Sequence, residues 1–192
     1  MTSRTTAVTR RGAPDTSGGF SLLEVLVALA LLAGGALGLL QLFSYSGRAT
    51  VQARRITTAS ALAAQKLDQL RSLTWGYDAS GLPVGDGQTD TAARPERASG
   101  GQGLSLSPAN TLDANTSGYC DFLDATGQLL GGGTTAPPEA AYVRRWAVRP
   151  LTADPADSLV IQVKLLSPGA ADRAGGDPAA VTLTALRTRV MW

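Results

Sequence analysis

Residues 25 to 43 form an unbroken run of apolar residues and glycine with a single glutamine, Gln41, and a chain holding such a run has few ways to bury it. At 1.5 Å per residue a helix over these positions measures about 28 Å, close to the hydrocarbon thickness of a bilayer, so the run is long enough to span a membrane once. One carboxylate, Glu24, stands at its start. An acidic group within a membrane helix costs about 2.5–3.5 kcal/mol on insertion scales, so it is expected either to pair with a cation or to reach the membrane edge. The run also exceeds the roughly 7–15 apolar residues of a secretory signal, and Val51-Gln52-Ala53, the nearest small-x-small site, lies far beyond Phe43.

Charge is unevenly placed. The chain has 17 Lys and Arg against 15 Asp and Glu, a net charge of +2. Arg4, Arg10 and Arg11 against Asp15 supply that whole excess within residues 1–19, and the remaining residues balance. This stretch is rich in Thr, Ser and Gly and has no hydrophobic periodicity, so it is expected to be a targeting leader. Positive charge beside a hydrophobic span stays cytoplasmic, which predicts an N-in, C-out orientation and makes the bulk of the chain periplasmic or extracellular. The 192 residues contain no histidine, which excludes histidine-dependent triads, proton shuttles and His-ligated metals. A lone cysteine, Cys120, cannot form an internal disulfide. A buried free thiol is the expectation for it and an intermolecular link the alternative.

Helical periodicity continues past the apolar run. From Ser44 to Thr74 there is no Pro, and Gly47 is the single Gly. At about 100° per residue, Ile56, Ala59, Leu62, Ala63, Leu67, Leu70 and Leu73 share one arc, the signature of an amphipathic helix docked on a domain. Gly34, Gly35, Gly38 and Gly47 are the points at which this helix is expected to bend or melt. Residues 76–141, dense in Gly, Pro, Ser, Thr and Asp, are expected to be mostly loop. The exception is a hairpin from Tyr119 to Leu130 turning at Asp124-Ala125-Thr126-Gly127, closed off by Gly131-Gly132-Gly133 as a linker. Tyr142 to Val148, Ser158 to Leu166 and Ala180 to Met191 read as an antiparallel meander, separated by Pro150 to Asp157 and Pro168 to Pro178. Its apolar face needs a cover, and the Ile56 to Leu73 stripe is the long apolar helix face available.

Gly19-Phe20-Ser21-Leu22-Leu23-Glu24-Val25 after a short basic stretch resembles the processing signal of type IV prepilins. The likeness is close over residues 12–45 and extends to the rest as an architecture, most like the minor pilins of the PilV group. It implies an α+β, type IV pilin-like fold with a long N-terminal helix packed on a C-terminal antiparallel β-sheet. The parts would be a leader (1–19), a transmembrane or assembly half-helix (20–43), an amphipathic half (44–75) and a globular β domain with long loops (76–192). The resemblance also implies that a prepilin peptidase cuts between Gly19 and Phe20 and N-methylates Phe20. In a filament Glu24 would face the Phe20 amine of a neighbouring subunit, so that two costly charges neutralise one another. Partners would be that peptidase, other major and minor pilins through the N-terminal helix, and the inner membrane before assembly, with the pilus or cell surface as destination. Position 41 is Gln where major pilins commonly carry Pro, and a second cysteine is lacking; both departures favour a minor subunit over a bulk filament builder. A type II secretion pseudopilin shares these N-terminal features. A signal-anchored periplasmic enzyme or binding module is the reading from another class.

The smaller signals point mostly to structure. Gly34 and Gly38, four residues apart, suit close packing of a neighbouring helix or bending. Asp121, Asp124 and Gly127 offer too few ordered oxygens for a calcium loop and are expected to form a turn, so no metal or other cofactor is predicted. Arg144, Arg145, Arg187 and Arg189 are expected to line a solvated strand face, and no nucleic-acid partner is expected of a chain otherwise neutral. No nucleophile paired with a base and no phosphate loop is apparent, so no enzymatic activity is predicted.

Overall fold

The computed structural model describes residues 19–168, 177 and 180–191; the expected leader before Gly19 and most of the Pro168 to Pro178 separator lie outside the described residues. One long helix, α1 (Leu22–Ser72), is followed by eight strands: β1 (Trp75–Tyr77), β2 (Pro83–Gly85), β3 (Cys120–Leu123), β4 (Leu129–Gly132), β5 (Tyr142–Leu151), β6 (Asp154–Leu166), β7 (Val181–Thr188) and β8 (Val190–Met191). The chain divides into two compact units, Met1–Arg48 and Ala49–Trp192.

In the first unit, residues 22–48 are helical without a break at Gly34, Gly35, Gly38 or Gly47, and all of them are exposed. The helix begins where a side chain satisfies an otherwise orphaned donor: the Glu24 N–H donates to Ser21 Oγ at 3.2 Å. Ser21 and Glu24 stand in the S-x-x-E spacing of a capping box, and an acidic residue in the first turn suits the helix dipole.

In the second unit the remainder of α1 packs on the sheet. Ala59, Ala63, Leu67, Leu70 and Leu73 are buried in one cluster with Trp146, Val148, Ile161, Val163 and Leu165, and Leu62 packs partly buried against it. Ile56, expected on the same stripe, is exposed, and the cover starts one turn later at Ala59. The covered sheet is five-stranded and antiparallel, in the order β4-β3-β5-β6-β7. Its register sets Trp146 opposite Val163 and Val163 opposite Leu183, one apolar row beneath the helix. Asp121 lies opposite Arg144 and Arg144 opposite Leu165, a second row that carries charge. The opposite face buries Cys120, Phe122, Val143 and Leu166 beneath Ala136 and Ala140.

Three expectations are corrected. Pro150 to Asp157 is no separator, because β5 runs through Leu151 and β6 begins at Asp154, leaving Thr152 and Ala153 to turn. Pro150 is tolerated there because β3 pairs with β5 only as far as Arg145, so on that side β5 lacks a ladder for the missing N–H to break. Gly131 and Gly132 belong to β4 and pair with Phe122 and Asp121, so they are strand and not linker. Residues 76–141 are mostly loop, as expected, but with Trp75 they also supply the unforeseen β1 and β2, which form a three-stranded sheet in the order β2-β1-β8, with β1 and β8 parallel. The final expected strand therefore divides at Arg189 between two sheets.

Candidate functional site

The N-terminal residues singled out from the sequence fall on one exposed segment. Gly19 and Phe20 precede the helix, and Phe20 is 82% exposed. Glu24 sits in the first turn, and Gly34 and Gly38 lie on the following helix with open space where a Cβ would stand. An 18-residue window of α1 has a mean hydropathy of 2.3 and none of it is buried, so the helix is long and apolar enough to cross a membrane. Leu31, Leu32, Leu42 and Phe43 are each more than half exposed. Exposed apolar surface on this scale marks a lipid or protein contact. The structure also shows a helix cap that the sequence reading missed, Ser21 Oγ accepting from the N–H of Glu24 at N3; the S-x-x-E spacing was the available signal.

The globular unit holds a second polar constellation, and its members were not foreseen as a group. Lys66 projects from the apolar stripe of α1 and is fully buried, with Nζ 3.0 Å from Asp121 Oδ2, donating to the Thr91 carbonyl at 2.7 Å and 3.8 Å above the Trp146 ring. Arg144 grips the same carboxylate with two parallel bonds of 2.9 Å from Nε and Nη2, the bidentate geometry favoured by guanidinium. Its Nη1 donates to the Leu62 carbonyl on α1. Removal from water outweighs the attraction of Asp121 and, with repulsion from Arg144, pulls the Lys66 ammonium down to about 8. The signal was a lysine on the apolar stripe, three residues after Ala63 and four before Leu70.

The four strand arginines do not line a solvated face, contrary to expectation. Arg144 and Arg145 are 4% and 5% exposed; Arg145 donates to Asn115 Oδ1 and the Leu112 carbonyl. Arg187 donates to the Leu70 and Leu73 carbonyls at the end of α1, supplying donors to C-terminal carbonyls that the helix itself leaves unpaired. Arg189 stacks 3.6 Å above Trp75, donates to the Gly76 and Val84 carbonyls and lies 3.4 Å from Asp157. A buried backbone carbonyl without a donor is costly, and guanidinium with five donors is suited to collecting several.

Cys120 is a buried free thiol, as expected, and burial, reinforced by Asp121, pushes it up to about 12, so it is held as an unreactive thiol. Asp124 forms the expected turn: its Oδ1 accepts from the Thr126 and Gln128 N–H groups at 2.8 Å, and Gly127 supplies a φ of 83°. The Thr126 hydroxyl, followed by these backbone donors, holds the Asp124 carboxyl below the usual range. Asp121, its companion in the expected turn, belongs instead to the buried cluster with Lys66 and Arg144. Among the described residues no group of three or more Cys, Asp or Glu side chains is placed to hold a metal ion.

No protein-family model matches the chain, nor does any characterised protein or solved structure.

Proposed function

We propose that this chain is a structural subunit of a type IV pilin-like assembly, a minor pilin processed between Gly19 and Phe20 and held in the inner membrane by α1 until it joins a filament. One observation carries the reading: the apolar first part of α1, residues 22–43, is exposed throughout, begins two residues after Phe20 of a Gly-Phe junction and carries one acidic residue, Glu24, in the first turn. Processing at that junction would create a cation, the Phe20 amine, at the head of the helix. Glu24 of one subunit would neutralise the Phe20 amine of the next, and the apolar residues to Phe43 would exchange lipid for neighbouring helices. Gly34 and Gly38 would permit close helix approach. A prepilin peptidase and other pilins are the partners this reading requires.

N-terminal sequencing and mass spectrometry of the protein from the membrane fraction test it. A chain starting at N-methylated Phe20 is the expected result. A start at Met1 or Arg54 would reject processing as a prepilin and leave a signal-anchored binding module or enzyme. A pseudopilin of type II secretion shares the same N-terminus; co-purification with pilus components, against secretion components, distinguishes the two machines.

A further inference from the structure

The apolar stripe that seats α1 on the sheet is close to repeating itself. Ala59, Ala63 and Leu67 follow one another at four-residue spacing, and Leu70 comes three later, so a slip of one helical turn would set apolar residues against much of the same apolar surface. Hydrophobic burial is non-directional and discriminates weakly between such registers. Lys66 interrupts the repeat. The residues one turn to either side of it, Leu62 and Leu70, are both leucine. Opposite Lys66 the sheet presents Asp121, held by Arg144 through adjacent register, and the loop presents the Thr91 carbonyl. A slip by one turn would bring leucine against this carboxylate and leave a buried ammonium facing an apolar surface.

We infer that Lys66, Asp121 and Arg144 form a registry key that fixes where the second half of α1 seats on the sheet. Burial of three charges is a poor source of net stability, because desolvation offsets their attraction, but a slipped state would lose the attraction and keep the desolvation. The penalty falls on the wrong register, which is how a polar group in an apolar seam specifies a structure. Arg187 marks the end of the helix, but it contacts backbone carbonyls, which any residue offers, whereas the key requires a lysine at one position. One turn of slip corresponds to about 5.4 Å along the helix axis. The inference concerns the globular unit alone and stands independently of the assembly reading.

Distance measurement between spin labels tests it, using the full chain in detergent with labels on cysteines introduced at Ala61 and Thr184, both exposed. Cys120 is buried. The native sequence is expected to give one narrow distance distribution. Lys66→Met, which makes the stripe apolar from Leu62 to Leu70 while leaving the Asp121–Arg144 pair intact, is expected to add a second population displaced by up to about 5.4 Å. The triple variant Lys66→Met, Asp121→Leu, Arg144→Met, with no charge left in the seam, should show the same heterogeneity without loss of thermal stability. An unchanged narrow distribution in a folded variant would overturn the inference. Loss of near-UV circular dichroism in both variants would overturn it too, because the cluster would then supply stability and not register.

Discussion

At the scale of single residues, two charges in α1 have opposite settings. Glu24 is exposed at the helix start, where its backbone N–H is capped by Ser21 Oγ and its carboxylate suits the helix dipole and is available to a partner. The two roles separate by mutation. Ser21→Ala should weaken the helix start by about 1 kcal/mol and leave incorporation into filaments unchanged. Glu24→Gln keeps the capping geometry and removes the charge, so processing should persist while incorporation falls several-fold, read by immunoblot of sheared filaments; normal incorporation would reject the pairing role. Lys66 is the buried counterpart. Asp121→Ala would leave Lys66 and Arg144 buried without their carboxylate and should cost about 3–5 kcal/mol in urea unfolding, whereas Lys66→Met leaves a neutral pair and should cost far less. Titration gives a further test. The folded chain releases the Lys66 proton near pH 8 and the unfolded chain near 10.5, so within that window the unfolded state binds more protons and this group's contribution to stability rises with pH. The stability of the native sequence relative to Lys66→Met should therefore increase from pH 8 to 10.5; in that difference the opposing contribution of Cys120 largely cancels, because Lys66 is the smallest of the influences on its thiol.

Among the elements, α1 and the three long strands were legible because their periods differ: an apolar arc at 100° per residue against alternation at 180°. The hairpin turn was legible from Asp124 and Gly127, which have a turn chemistry of their own. What escaped was set by pairing over long sequence separations. β1 and β2 are three residues each, too short to show a period, and they become strands because Trp75 faces Gly85 and Gly76 meets Val190. The arginines were misread for a related reason, since a strand arginine is solvated unless its neighbours in space offer acceptors, and those neighbours, Asp121, Leu62 and Leu70, come from other elements. The Gly-Phe junction, Glu24, Gly34 and Gly38 were all legible in the sequence, whereas the Lys66 cluster depended on the β3–β5 register. Arg187 shows how an element boundary is set from outside. Arg187→Met should leave the Leu70 and Leu73 carbonyls without that donor and speed amide exchange in the last turn of α1, with little change near Ala59; uniform exchange would contradict it.

For the whole molecule, the division at Arg48 separates a segment with no buried residue from a unit that contains every buried one among the described residues. A chain of residues 49–192 is therefore expected to fold and to remain monodisperse without detergent, while the full chain requires it; size-exclusion chromatography and near-UV circular dichroism of the two report the outcome, and aggregation of the shorter chain would show that its surface depends on the first 48 residues. The parallel pairing of β1 with β8 has a further consequence, in the order of events during synthesis. β1 follows the helix directly, yet its partner at Val190 is made more than a hundred residues later, after every other strand. Closing so long a loop is entropically slow, and long-range parallel pairing comes late in folding. A chain emerging vectorially can thus seat its helix on the main sheet while Trp75 to Tyr77 still has one edge open, and that edge closes only after Val190 and Met191 have been delivered.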